Sequence, residues 1–391
     1  MKEKHHPKYA LMVGFAIFSM LFGAGNIIYP IKAGVLAGSK NLAGISGFIL
    51  TGVLLPLIGL LTMILFEGNY RRFFNRIGRI PGMIAIMYCM LIMGPLIAMP
   101  RCITVPYEML YPFFPSYISL TIFSIIFGVL TYILTYSQSQ MLDILGKIIS
   151  PVLLGSLFLI LSIGLLQADV MIPQSKATGE VFYDQLVHGF QTLDMIAALF
   201  FAYIVLKILK TNKLDAYKPK ELVLIGFQGS LIGGAFLAIT YLGFSYLGAY
   251  YGHIVSADMN GAEIFRNITL TILPHYGVMI IFTAVLMACL STITALAAVF
   301  SEYLYNDVFR HTVSLHTCLV ITVTLATLIS NFGLTTILTK SIHIINIGYP
   351  ILSAILFFNL LYKLFDFKPI KIPVLICAIA IIGSYTYQHW L

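Results

Sequence analysis

Charge is what this sequence has least of. Only 10% of its 391 residues are Asp, Glu, Lys or Arg, where soluble domains carry about 25%. A chain so poor in charge cannot cover a water-facing surface, so lipid must solvate most of it. Polar stretches are confined to short loops, and no soluble domain is visible. Cysteine is also scarce: Cys89, Cys102, Cys289, Cys318 and Cys377 lie in or beside apolar runs, with no CxxC pair. They read as small core residues, which argues against a disulfide frame and a thiolate metal site. There is no nucleotide-binding glycine loop, zinc motif or catalytic triad.

What the chain has is apolar sequence. It is 59% hydrophobic, with a mean hydropathy of +0.95. A membrane-spanning helix needs about 20 apolar residues. About eleven runs qualify, at 9–36, 43–66, 82–109, 117–136, 147–168, 190–209, 222–250, 276–303, 312–330, 335–362 and 372–388. They are too long and too uniformly apolar for barrel strands. The expectation is an all-α polytopic membrane protein, a single domain over 1–391. Its N-terminus resembles a secretory signal, but no small-residue cleavage site follows and the apolar run continues past Pro30. It is read as an uncleaved first span.

The formal charge is +8. The basic residues fall in short loops with no aromatic-interleaved face, so they speak for topology and against nucleic acid. With the N-terminus in the cytoplasm, the inner side receives Lys2, Lys4, Lys8, Arg71, Arg72, Arg76, Arg79, Lys147, Lys207, Lys210, Lys213, Lys218, Lys220, Arg310, Lys363, Lys368 and Lys371. The outer side keeps little beyond Lys40, Lys176 and Arg266. That bias orients the protein. Two outer loops are longer, at 169–189 and 251–275. In the second, Asn260–Arg266 is expected to form a short helix, either a polar cover over a vestibule or an inert connector.

Two spans carry breakers. Gly23-Ala-Gly-Asn26 and then Pro30 interrupt the first; two glycines cost about 2 kcal/mol of helix propensity. Asn26 adds an amide at bilayer depth, where unwound backbone is tolerated only if it is buried in protein or lines a cavity. The sixth opens with His188-Gly-Phe-Gln-Thr-Leu-Asp194. Taken alone, Thr192 or Asp194 reads equally well as a helix cap. Paired, the breaks fall five spans apart, in helices that cross in opposite directions. That is the arrangement of an inverted repeat with a midplane binding site.

Ionisable residues at depth point to function by default. Arg101 and Glu108 lie seven residues apart on one helix face of the third span. They form either an internal ion pair or a gate or carboxylate contact. In the eighth span, Ser291 and Thr292 either bond their own helix or supply oxygens to a small hard cation. An intramembrane enzyme would need paired polar groups at depth, and His188 with Asp194 is the nearest candidate pair. A channel is a second rival class, since broken helices also line pores, and a membrane sensor that binds without carrying is a third.

Leu21-Phe-Gly-Ala-Gly-Asn-Ile-Ile-Tyr-Pro30, Gly94-Pro-Leu-Ile-Ala-Met-Pro-Arg101, Thr192-Leu-Asp-Met-Ile-Ala-Ala198 and Leu286-Met-Ala-Cys-Leu-Ser-Thr292 with Glu302-Tyr303 resemble, in order, the first-, third-, sixth- and eighth-span signatures of the bacterial branched-chain amino acid:cation symporters, the BrnQ or LIV-II carriers. That resemblance implies a LeuT-like fold of five plus five inverted helices. Repeat one would cover about 9–168, repeat two about 190–362, and an extra helix about 372–388. It implies a bacterial cytoplasmic membrane protein that takes up leucine, isoleucine or valine with Na⁺. Family members often carry twelve spans, one more than expected here. Substrate would meet Gly23, Ala24, Gly25, Asn26, Gln191, Thr192, Asp194 and Arg101. The sodium ion would be held by the carbonyls of Ser19, Phe22 and Ala288 and the hydroxyls of Ser291 and Thr292. Asp194 or Glu108 could instead carry a proton.

Overall fold

A computed structural model describes residues 6–136, 149–211, 219–256 and 258–390. Among the described residues there is no strand. In chain order the helices are α1 (His6–Leu21), α2 (Ala24–Ala37), α3 (Asn41–Ile49), α4 (Leu55–Leu65), α5 (Tyr70–Phe74), α6 (Arg79–Leu91), α7 (Ala98–Leu110) and α8 (Leu120–Tyr136). They continue with α9 (Ser150–Leu166), α10 (Thr178–Gly189), α11 (Asp194–Thr211), α12 (Pro219–Tyr251), α13 (Gly261–Ile272), α14 (Gly277–Tyr303), α15 (Leu315–Ser330), α16 (Leu334–Phe365) and α17 (Lys371–Trp390). Lys2, Lys4, Lys147, Lys213 and Lys218 of the charge pattern lie outside the described residues.

Six described segments are long and apolar enough to cross a bilayer: Ala24–Leu65, Arg79–Phe113, Thr178–Leu206, Leu224–Ile254, Gly277–Val308 and Leu334–Phe365. Shorter apolar helices occupy Lys8–Leu21, Leu120–Tyr136, Ser150–Leu166, Leu315–Ser330 and Lys371–Tyr387. The chain is a multi-pass helical membrane protein. The segment Ala24–Leu65 folds back at Gly38, whose φ of +47° suits glycine, so α2 separates from α3 and α4. The expected outer loop 169–189 is corrected by α10, which fills most of it. Glu180, Asp184 and His188 depress its hydropathy and hid it. Its Val181, Gln185 and Gly189 are nonetheless buried, and Thr51 of the turn between α3 and α4 donates to the Leu186 carbonyl at 2.7 Å.

In lipid there is little hydrophobic drive between helices, so close backbone approach and dispersion hold them. The α1–α12 contact shows how. A Cβ on Gly14 would meet Ile232 at 2.6 Å, and one on Gly229 would meet Val13 at 2.5 Å. Aromatic rings continue the seam: Phe18 stacks on Phe22 at 5.0 Å, Phe22 lies 6.3 Å from Phe244 of α12, and Phe244 is edge-on to Phe265 of α13 at 5.3 Å. Between α6 and α7 a π-helical turn, Ile92–Leu96, contains Gly94 at φ −79°, ψ −126° and then Pro95. That kink brings the backbone against Phe300 of α14, where a Cβ on Gly94 would sit 2.6 Å from the ring.

Candidate functional site

The first span is interrupted at Phe22 and Gly23, between α1 and α2. The expected break covered Gly23 to Asn26; the helix resumes earlier, at Ala24. Asn26 explains this: its Oδ1 accepts the Gly23 N–H at 2.9 Å, capping the new helix from inside its first turn. A side chain at Gly23 is excluded, since a Cβ would lie 2.7 Å from Thr292 Oγ1.

The sixth span is interrupted too. Between α10 and α11 run a 3₁₀ turn, Phe190–Thr192, and then Leu193 at φ 66°, ψ 9°. A left-handed leucine costs about 1–2 kcal/mol. Tyr349 of α16 offsets part of that by accepting the Met195 N–H at 2.9 Å, one of the donors a helix start leaves unpaired. The Asp194 N–H reaches Thr192 Oγ1 at 3.4 Å, so the cap and the break are one structure. The two breaks touch: a Cβ on Gly25 would sit 3.2 Å from the Thr192 carbonyl.

Three side chains tie the breaks together. Asn26 Nδ2 donates to Asp194 Oδ2 at 2.7 Å and also contacts the Tyr241 hydroxyl. Tyr241 of α12 donates to the same carboxylate oxygen at 2.6 Å. On the other side, Arg101 of α7 donates from Nη1 to the Gln191 carbonyl at 2.9 Å and from Nη2 to Ser341 Oγ at 2.6 Å. Its Nε has no partner. Gln191 Nε2 donates to Asn346 Oδ1 at 3.1 Å. Asp194 and Arg101 are each 2% exposed. Each is held by neutral groups, and no ion pair joins them among the described contacts.

Asp194, Arg101, Asn26, Thr192 and Ala24-Gly25 all line one central cavity, with Met93, Cys102, Ala197 and Leu296 as its apolar wall. It holds about 30 Å³, room for a water or two. On the arginine-rich side lies a second cavity of about 450 Å³, lined by Tyr70, Arg71, Met90, Phe200, Val299 and Glu302 among others. Met90, Phe200 and Val299 stand one helical turn from Met93, Ala197 and Leu296. The two linings therefore run one turn apart along three helical segments.

Three of the five cation candidates meet. Ser291 Oγ is 2.7 Å from the Ser19 carbonyl and 2.9 Å from that of Ala288. The Thr292 hydroxyl bonds the Met20 carbonyl instead, at 3.0 Å. Phe22, buried at the break, stacks on Phe18. Two other candidate pairs come apart. Glu108 faces Asn260, Glu263 and Arg266 around α13, and Arg266 Nη1 donates to its carbonyl at 3.0 Å, so Arg101 and Glu108 form no pair. His188 lines a different crevice from Asp194, beside Asp184 and Tyr385.

Sequence reasoning missed Tyr241, Ser341, Asn346 and Tyr349. Tyr241 hides in an aromatic-rich span. Ser341 and Asn346 were findable: they are hydroxyl and amide groups at depth in a long apolar helix.

Broken helices thus pack at a polar cavity inside an apolar bundle, the arrangement of a transporter's binding site. Mhp1, a nucleobase-cation-symport-1 family transporter, in a closed conformation with bromovinylhydantoin bound, aligns at TM-score 0.65 and 15% identity, covering 97% of this chain and 93% of that one. MhsT in complex with L-phenylalanine aligns at TM-score 0.57 and 16% identity, covering 96% and 97%. The fold is therefore LeuT-like. Residues 6–388 match the family described as “Branched-chain amino acid transport protein”, and the chain belongs to that family. The branched-chain amino acid permease BrnQ of Bacillus subtilis (strain 168) is 29% identical over 376 residues, 94% of this chain and 84% of that protein. The permease BraB of the same strain is 29% identical over 376 residues, 93% and 82%. The BrnQ of Lactobacillus delbrueckii subsp. lactis is 29% identical over 389 residues, 96% and 86%. The protein is a transporter of a small-molecule substrate and not an enzyme.

Proposed function

We propose that this protein imports leucine, isoleucine or valine across a bacterial cytoplasmic membrane, coupled to Na⁺, by alternating access, with its N-terminus in the cytoplasm. One observation carries the substrate class. A buried carboxylate, Asp194, and a buried guanidinium, Arg101, line one cavity without pairing. Buried charges without a counter-charge are costly. A zwitterionic amino acid supplies both counter-charges, its ammonium to Asp194 and its carboxylate to Arg101. The N-terminus of α2 at Ala24 and Gly25 adds helix-end N–H groups for the same carboxylate. Met93, Ala197 and Leu296 offer an aliphatic side chain an apolar wall.

The cavity must widen to admit such a ligand, which fits a carrier whose bundle rocks and fits a constantly open channel poorly. Release toward the arginine-rich side would open the site to the larger cavity, whose lining begins one helical turn away. For sodium, the hard oxygens of Ser19, Ala288 and Ser291 already converge, with Phe22 and Thr292 beside them. The site spans α1 and α14, so an ion there would bind differently as the two helices part. That is the condition for coupling.

A second reading concerns the ion alone. Asp194 is a buried carboxylate with no cationic partner, which suits a proton carrier. Equilibrium binding of labelled leucine to purified protein separates the two. On the sodium reading, affinity falls at least about tenfold when choline replaces Na⁺, and the Ser291→Ala, Thr292→Ala double variant no longer senses the exchange. Sodium dependence that survives in the double variant refutes the ion assignment; leucinamide competing as well as leucine refutes the carboxylate contact.

A further inference from the structure

Away from the transport site, α6, α16 and α17 enclose an apolar groove of about 690 Å³. Its walls include Ile84, Ala85, Tyr88, Ile347, Ile351 and Leu375. From Ile344 to Ile355 the α16 wall runs about 16 Å at 1.5 Å per residue. One leaflet of a bilayer core of about 30 Å has nearly that depth. Lys371, the first residue of α17, closes one end, beside Ile77 and Pro81. Arg79, between those two in sequence, is exposed.

That end is built as well as charged. Arg76 donates from Nη1 to Asn359 Oδ1 at 3.1 Å and from Nη2 to the Lys368 carbonyl at 3.1 Å. Its guanidinium lies 3.8 Å over the Tyr362 ring. Arg76 is thereby spent on fixing the link between α16 and α17. Arg79 and Lys371 make no ion pair among the described residues, and Lys368 reaches Asp366 only at 3.8 Å. Lys371 thus stands at the mouth of an apolar slot one leaflet deep, with exposed Arg79 beside Ile77 and Pro81 in sequence.

We infer that this groove binds an anionic phospholipid, with an acyl chain along Ile84, Ile351 and Leu375 and the phosphate at Lys371 and Arg79. The apolar slot alone would take the chain of any lipid; the uncompensated charge at its mouth selects the anionic head group. The proposal is independent of what the protein transports.

Native mass spectrometry of the full-length detergent-purified protein tests it, with dioleoylphosphatidylglycerol and dioleoylphosphatidylcholine as probes. Phosphatidylglycerol is expected to stay bound at least about tenfold more tightly. The Arg79→Ala, Lys371→Ala double variant should lose that preference, and Ala85→Phe, which fills the slot, should weaken both lipids. Thermal melting shows that the variants fold. Equal retention of the two lipids by the unmodified protein overturns the site, as does a preference that survives the double variant. An unchanged spectrum for Ala85→Phe reduces the effect to adsorption at the rim and overturns the groove. A dimer that Ala85→Phe dissociates would assign the groove to a second copy instead.

Discussion

Arg101 is the residue on which the substrate assignment turns. It is 2% exposed with one unpaired donor, and its bonds go to a carbonyl and a hydroxyl. Hydrogen bonds to charged groups contribute about 1.5–3 kcal/mol, or roughly 10–100-fold in affinity. Arg101→Gln should weaken leucine binding by that factor in an equilibrium assay while leaving leucinamide binding unchanged. Its melting temperature should not fall, because removing a charge from bilayer depth relieves desolvation. Arg101 was legible in the sequence because a charge in an apolar run is conspicuous. Its supposed partner was not. Helix periodicity put Glu108 on the same face, but seven residues carry it about 10 Å along the helix, to the level of α13. Tyr241 escaped for the opposite reason: a tyrosine in an apolar span draws no notice, and only tertiary packing aims its hydroxyl at Asp194.

At the scale of elements, the two breaks act as one joint. Gly25 packs against the backbone of the opposite break, with 3.2 Å between its would-be Cβ and the Thr192 carbonyl. Gly25→Val should force the breaks apart, destabilising by about 1–3 kcal/mol and abolishing leucine binding before the protein unfolds. Thermal melts read beside binding isotherms check this; normal binding would mean that the breaks need not touch. A second joint lies on the arginine-rich side. Tyr70 donates to Asp307 Oδ2 at 2.7 Å and Arg71 Nη2 meets Asp307 Oδ1 at 2.8 Å, fastening the start of α5 to the π-helical turn Leu304–Val308 that follows α14. Burial and the adjacent Asp307 both push the Tyr70 phenol upward, so it stays a donor at neutral pH. Asp307→Asn should loosen the rim of the larger cavity. Maleimide labelling of a cysteine at Val299 should then quicken about fivefold, the effect of roughly 1 kcal/mol on a two-state equilibrium; an unchanged rate would leave the contact without a gating role. The breaks were readable from glycine and polar residues inside apolar runs. The first half of the sixth span was not, because α10 is amphipathic and carries charges on its exposed side. Hydropathy sees lipid-facing helices better than helices wedged between others.

For the whole molecule, the apolar runs and sparse charge made the fold class legible at once, since lipid leaves backbone few alternatives to helix. The assembly of the site was less so: Asp194 of α11, Asn26 of α2 and Tyr241 of α12 meet only through the bundle's topology. The same topology sets what coupling can deliver. One Na⁺ crossing 100 mV releases about 2.3 kcal/mol, and a tenfold sodium gradient adds about 1.4 kcal/mol. On the proposed coupling of one Na⁺ per leucine, the two together would sustain a several-hundred-fold leucine gradient. The most direct test is uptake of labelled leucine, isoleucine and valine into proteoliposomes holding the purified protein, with and without an inward Na⁺ gradient. The account predicts concentrative uptake that requires the gradient and collapses when a sodium ionophore dissipates it. Uptake that merely equilibrates, at the same rate whether or not sodium is present, would contradict it.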